Sequence, residues 1–532
     1  MPDAFYCITW HEFVKAAESV LQATGGAARF ISDDGYLVGP RETVFAVFRA
    51  FDQAVREECG LTLQVTKCEL YSRDGILPPD CPPGLKRAGA MVDGQFEPGF
   101  LAVGVPVGSD SYVKHMLSQK LEALEGEVDR AIRLLGDERH ALWTILRSST
   151  LHKLEYWLGC VYPSLMAEAA SRMDKLLWRM LEVTAGTEIP QVAPEQRLGG
   201  ALPRWAGFET VLNPPVQGLQ GKSFQWWVAQ LPVKLGGVGL RQQSYLSLVA
   251  FLGSVEACVP SFGGVQGICE NLAHLVGEEE SDATRWAPLL ASGSRLGEEF
   301  GRAWEKVKRE AEQCCEFLGE EVPEILATTA AGFGLGAEMG SRQKVVEARE
   351  SLLAAVLGKA LHQYPDQSLN AIKAWKNRDK ISTAFLLELP GPHNQWSSAE
   401  WGEAICLVLS IPPNCCKDPR HLGQPIGDRH VDLWGADVLC ARLPGGSWTR
   451  RHDRIKACLS SLAVYCGVTF VCEPYSLFSA HLPQRPLHRL QAHQVRQALR
   501  PDFLFHLPSA WSKVLLKSRL HLLATSHFTS QG

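Results

Sequence analysis

The alternation of apolar and polar positions sets out the first hundred residues as a series of short elements. Arg29-Phe30-Ile31-Ser32 and Tyr36-Leu37-Val38 are β-prone runs on either side of Asp33-Asp34-Gly35. Asp-Gly tolerates the positive φ of a tight turn, so this stretch predicts a hairpin that turns at those three residues. After Gly39-Pro40, Val44, Phe45, Val47, Phe48, Phe51, Ala54 and Val55 recur at helical spacing, and Gly60 stands where the helix stops. GLTLQVTKCELYS then reads as a strand ending in Lys67, Cys68 and Glu69, and FLAVGVPVGSDSYV as a further strand and turn. A long amphipathic helix starts near Val113, and the text stays mostly helical to about Leu387, in stretches such as HMLSQKLEALEGEVDRAIRLLGDERHALWTILRSS and LGEEFGRAWEKVKREAEQCCEFLGEEV. Ahead of the hairpin, Phe5 to Gln22 also reads as a helix.

Composition narrows the classes. The 532 residues are 46% hydrophobic and 21% charged, enough apolar material for several cores and roughly three or four domains. A net charge of −5 excludes a chain that coats nucleic acid along its whole length. The charge is uneven: from Lys417 onward there are 15 Lys and Arg against 7 Asp and Glu, so polyanion affinity belongs to the C-terminal fifth. The 16 cysteines lack the spacing of a secreted disulfide framework, and no basic and apolar leader opens the chain. A reduced, intracellular protein, nuclear or cytoplasmic, is expected. No apolar run, the stretch near Leu246 to Val255 included, approaches the roughly 20 residues of a membrane span.

The order hairpin, helix, strand, strand, helix carries a resemblance. FISDDGYLVGP, GLTLQVTKCELYS and LAVGVPVGSDSYV resemble successive palm motifs of non-LTR retrotransposon reverse transcriptases: the (Y/F)xDD hairpin, the "GL.LN..KCE" segment and the "LG.PIG" primer grip. LRSSTLHKLEYWLGCVYP and the Gly-rich LGGVGLRQQSYLSLVAFLGS continue it more weakly. The resemblance implies RNA-templated DNA synthesis with two Mg²⁺ ions, an RNA template, and a DNA primer or target DNA as partners. Hard Mg²⁺ wants carboxylate oxygens held on a rigid hairpin. Asp33 would be the principal ligand and Asp34 the lesser one, with Lys67 the general acid toward the departing pyrophosphate. Gly104, Pro106 and Gly108 would form the primer grip, and Lys114, Lys120, Arg130, Arg133 and Arg147 would meet phosphates from the thumb. Against each stands a plainer alternative: a turn, a surface lysine, a glycine turn, a solvated helix face.

The family's first palm strand, with its aspartate, lies well upstream of the hairpin, whereas the acids before Asp33 here are Asp3, Glu12 and Glu18. The reading is therefore of an N-terminally truncated palm, inactive as this chain unless a complementing chain supplies that strand and the fingers. Near the other end, Cys415, Cys416, His421, His430, Cys440 and His452 crowd a Pro/Gly-rich stretch similar to the family's Cys/His region. Zn²⁺ bound by Cys415, Cys416, Cys440 and His452 is one reading. Adjacent cysteines rarely both reach one tetrahedral ion, so an unmetallated loop stands beside it. Glu473 and Asp502, each on an expected strand, resemble the opening of a restriction-like endonuclease core, read as truncated because SAWSKVLLKSRL offers a short basic helix in place of a further catalytic strand.

The expected fold class is α+β and mostly helical, its palm remnant holding three or four strands. Residues 1–112 are read as a partial palm, 113–185 as a helical thumb, 186–390 as a mostly helical connector, 391–470 as a Cys/His-bearing linker, and 471–532 as a small α/β endonuclease-like remnant with a basic tail. Three functions remain open: a fragment of a polymerase, a non-catalytic RNA- or DNA-binding remnant, and a relic open reading frame.

Overall fold

The structure, a computed structural model, describes residues 2–31, 34–60, 62–189, 224–262, 286–327, 341–362, 383–391 and 395–409, together with short pieces at 264–265, 267–268, 411, 425–426, 429–430, 460, 469–472, 503–506 and 514–516. It is mostly helical with small sheets. The chain divides into two compact units: one takes Met1–Leu181 and Leu240–Leu352, the other Glu182–Gly239 and Leu353–Gly532.

The first unit opens with helix α1 (Pro2–Gln22), the antiparallel hairpin β1 (Ala27–Ile31) and β2 (Asp34–Val38), and helix α2 (Arg41–Cys59). Ala17, Leu21, Ala28, Val47, Phe51 and Val55 close a small core between these pieces, with Phe13, Phe30 and Leu37 against it. Gly60 ends α2 in the left-handed conformation, φ 63°, its N–H returning to the Val55 carbonyl, which is the stop its position promised.

The hairpin corrects one expectation. Ile31 pairs with Asp34 and Phe30 with Gly35, so the Asp34-Gly35 pair belongs to the strand and not to the turn. Gly35 is needed there for a different reason: a Cβ would stand 2.5 Å from the Phe30 ring, which lies across it from the neighbouring strand. An aromatic side chain covering a strand glycine restores the packing that glycine lacks.

A second correction concerns GLTLQVTKCELYS. Val65–Lys67 form a 3₁₀ turn, and among the described residues of this stretch Glu69–Leu70 (β3) alone pair as a strand, in parallel with Lys86–Arg87 (β4). Strands β5 (Gly89–Val92), β6 (Gln95–Ala102) and β7 (Val105–Gly108) follow as an antiparallel meander. The single palm sheet of three or four strands is thus replaced, over residues 27–108, by three small sheets.

Helix α3 (Asp110–Leu135) starts at Ser109, whose hydroxyl accepts the Tyr112 N–H at 3.1 Å and donates to Glu97 at 2.6 Å. It is followed by α4 (Arg139–Ser148), α5 (Glu155–Cys160) and α6 (Pro163–Ala185). The returning chain contributes the helices Gln243–Cys258 and Arg295–Leu318 and the part of Ser341–His362 up to Leu352. The stretch Gln243–Phe262 is long and apolar enough to be weighed as a membrane span. Leu246, Val249, Ala250 and Leu252 are buried inside the unit, and the helix packs on α5 and on Arg295–Leu318 as a core helix does.

In the second unit Phe385, Trp396 and Trp401 form an aromatic cluster with centroids 5.3 to 5.9 Å apart. Ser397 and Glu400 cap the helix Ser398–Leu409 reciprocally: the Glu400 carboxylate accepts the Ser397 N–H at 3.1 Å and the Ser397 hydroxyl accepts the Glu400 N–H at 3.3 Å. Farther along, Thr469–Cys472, Phe503–His506 and Val514–Leu516 form an antiparallel sheet. Between the expected helix residues Lys513 and Lys517, which lie outside the described residues, Val514 to Leu516 form a strand because they find non-local partners in Phe503 to Phe505.

Candidate functional site

The residues the sequence singles out fall around two hairpins. Asp34 opens β2 with its side chain exposed; Asp33 lies outside the described residues. The hairpin is fastened on its far side by an ion pair between Arg29 and Glu18 of α1, and Arg29 also donates to the Ala28 carbonyl at 2.8 Å. Phe30 sets its ring 5.2 Å from Phe51 of α2. The strands are thus anchored from β1, and Asp34 stands at the free end with no ion pair among the described residues.

Gly104 lies in the turn between β6 and β7. Ala102 pairs with Val105, so the turn is the two residues Val103-Gly104, at φ 50° and φ 78°. Asp93-Gly94, between β5 and β6, turns in the same way at φ 49° and φ 81°. Asp-Gly is a favoured pair for that geometry, whereas a β-branched residue there is an outlier. Val103 is held by a hydrogen bond from the first hairpin: its N–H donates to the Tyr36 hydroxyl at 2.8 Å.

Pro106 is buried, paired with Leu101. Gly108 faces Gly99 across the strands so closely that a Cβ on Gly108 would sit 2.4 Å from the Pro98 carbonyl oxygen, and one on Gly99 would sit 2.0 Å from the Tyr112 ring. Gly108 thus lets β7 lie close against Pro98 and Gly99, and Gly99 in turn lets the first turn of α3 settle on the hairpin. Lys67 ends the 3₁₀ turn, exposed. The neighbouring Cys68 thiol is pushed up by burial and, secondarily, by Asp52.

The basic residues of the thumb segment do not form one stripe. Lys114, Arg130 and Arg133 are exposed on α3, while Lys120 is half-buried with its ammonium 5.7 Å from the Trp157 ring centroid. Arg147 is half-buried on α4. Acids on α3 interleave with them, and three are paired from other elements: Glu125 with Arg172 at 3.0 Å, Glu127 with Lys153 at 3.2 Å, Asp129 with Arg179 at 2.7 Å. The outer face of α3 is of mixed sign.

Three connections left no signal in the sequence. Arg295 donates twice to Asp110, at 2.5 and 3.0 Å, and stands 4.7 Å over Tyr162, clamping the start of α3. Asp174 of α6 accepts the N–H groups of Gln243 and Ser244 at 2.6 and 3.2 Å and the Ser244 hydroxyl at 2.7 Å, capping a helix far away in the chain. Arg349, buried, donates to Glu310 at 2.8 Å and lies 3.9 Å over Tyr245, whose hydroxyl burial pushes above its ordinary range.

Among the described residues no three His, Cys, Asp or Glu side chains converge as metal ligands. Asp33, Cys415, Cys416, Cys440, His452, Glu473 and Asp502 all lie outside those residues. No protein-family model, curated protein or solved structure matches the chain.

Proposed function

We propose that the segment from Ala27 to Ala185 is the primer-side half of a polymerase site of the non-LTR reverse-transcriptase kind. The carrying observation is the Tyr36–Val103 hydrogen bond, which ties the hairpin bearing Asp33 and Asp34 to the turn bearing Gly104. A primer 3′ end seated on β6–β7 would then lie near the carboxylates that activate it. The strain at Val103 fits this reading, because unfavourable backbone held by its surroundings collects where a chain grips a ligand.

The fit to Mg²⁺ rests on an exposed aspartate at the tip of an anchored hairpin, oxygen ligands of the kind that ion selects. When bound there, the metal would supply an activated 3′-hydroxyl. The chain's own part is to present Asp33 and Asp34 together, hold the primer end on Val103 to Gly108, and bring Lys67 to the leaving group. A further carboxylate from another strand completes such a site, and we infer that this chain acts with one.

The test is a primer–template duplex carrying a photoreactive base at the primer 3′ end. Cross-linking to the peptide spanning Val103 to Gly108, weakened by salt, supports the reading; absence of duplex binding, or cross-links confined to other segments, overturns it. Mg²⁺-dependent extension that Asp33→Ala abolishes would show that these 532 residues complete the site themselves.

The mixed charge on α3 favours keeping a second reading, a nucleic-acid-binding remnant without synthesis, whose mark is duplex binding indifferent to Asp33→Ala and to Mg²⁺.

A further inference from the structure

Two thiols stand at the C-terminal ends of two helices that pack together within the first unit. Cys160 is the last residue of α5 and Cys258 the last of Gln243–Cys258; both are exposed and unpaired. These helices pack closely because Gly159 has no side chain: a Cβ there would stand 2.4 Å from the Ser254 hydroxyl oxygen and 3.4 Å from the Ala250 carbonyl oxygen. Residues four apart share a helix face, so Cys258 continues the row of Ala250 and Ser254 by one turn, while Cys160 follows Gly159 directly. Just beyond, Tyr162 and Phe251 meet edge to face at 5.9 Å.

We propose that Cys160 and Cys258 are a reversible disulfide pair that fastens the stretch leaving the first unit to the stretch returning to it. The thiols are electrostatic neighbours: burial first, and then the Cys258 sulfur, raises the Cys160 thiol above its ordinary range. A raised thiol carries less thiolate at neutral pH and so reacts slowly with oxidants, while the pair's own reduction potential against the surrounding glutathione poise decides whether it closes. The chemistry needs an external disulfide such as glutathione disulfide. One cysteine thiolate attacks it, forming a protein–glutathione bond and expelling one glutathione thiolate. The second cysteine thiolate attacks the protein sulfur of that bond and expels the second glutathione. Two protein thiols thereby lose two protons and two electrons, and one glutathione disulfide becomes two glutathione thiols.

The closed ring would span roughly 100 residues, long enough for loop closure to weigh strongly against the unfolded chain. The full chain, equilibrated in glutathione buffers of graded poise, is digested without reduction and mapped by mass spectrometry. The expected product is one cross-linked pair of peptides carrying Cys160 and Cys258, with two fewer reactive thiols and a higher melting temperature, all lost in Cys160→Ser and in Cys258→Ser. Separate glutathione adducts on the two residues, cross-links to others of the 16 cysteines, or two thiols that stay free throughout would overturn the proposal. The peptide map is read on the unsubstituted protein, so it stands whether or not either variant folds.

Discussion

The hydroxyl of Tyr36 accepts the backbone N–H of Val103 at 2.8 Å, joining residues 67 positions apart in the chain. Tyr36 sits two residues beyond Asp34, and Val103 holds a positive φ that its branched side chain disfavours. One polar contact thus ties strand β2 to the turn between β6 and β7.

If Val103 is strained, relieving it stabilises the fold. Val103→Asn keeps the N–H and suits the left-handed geometry, and we expect a gain of about 0.5–1 kcal/mol in urea unfolding, together with weaker cross-linking to a primer end if the side chain serves the grip. Tyr36→Phe removes the acceptor alone and is expected to lose about 0.5–1.5 kcal/mol.

Three Gly→Ala changes should differ in sign. Gly126 lies within α3 with nothing within 4 Å of a new Cβ, so Gly126→Ala gains about 0.5–1 kcal/mol. Gly104→Ala loses about 1 kcal/mol through its φ of 78°. Gly99→Ala, driven into the Tyr112 ring, loses about 1–3 kcal/mol and loosens the start of α3. Thermal melts of the three variants decide it; a Gly99→Ala protein that melts no lower than the parent would refute the packing account of Gly99, and a loss in Gly126→Ala would refute the open site on α3.

Arg349 is buried and its partner Glu310 half-buried, so the costlier change is the one that leaves the guanidinium uncompensated. Glu310→Gln should destabilise by about 1–3 kcal/mol, and adding Arg349→Met should recover part of that loss. A double-mutant cycle in urea measures the coupling.

Asp174 gives a pH dependence with a definite sign. Burial holds its pKa above the ordinary 3.8, against the opposing pull of the Ser244 hydroxyl, the Gln243 and Ser244 N–H groups and Arg349. A carboxyl raised on folding binds its proton more tightly in the folded state, so its contribution is fully present below 3.8 and falls away as pH rises through the folded value. Asp174→Asn should therefore flatten the stability profile from pH 4 toward neutrality, while Asp174→Ala, which strands two N–H groups, should lose about 1–2 kcal/mol at every pH.

Local chemistry was legible where neighbours in sequence decide the outcome. Gly60 ends α2, and the Val113 helix begins one short turn earlier at Asp110. Legibility failed where a remote partner decides. Asp34-Gly35 reads as a turn until the Phe30 ring is seen over Gly35, and the alternation after Leu61 reads as a strand until Glu69–Leu70 are seen to pair with Lys86–Arg87 alone. At the proposed site, the motifs single out Asp34 and Gly104 in the sequence. Tyr36 was an ordinary strand aromatic, and Val103 an ordinary strand valine, because nothing in sequence marks which tyrosine will reach which amide.

The first unit is built from two stretches of chain, and this has a consequence for its synthesis. The faces of α5 and α6 that receive the helix Gln243–Cys258 are made by Leu181, but the last residue of the unit is Leu352. At ordinary ribosomal speed the roughly 77 residues from Leu181 to Cys258 take about 4–15 s to emerge, and the rest of the unit follows later. During that interval the nascent chain carries its apolar helix faces uncovered, which is the window in which a chaperone would have to hold it.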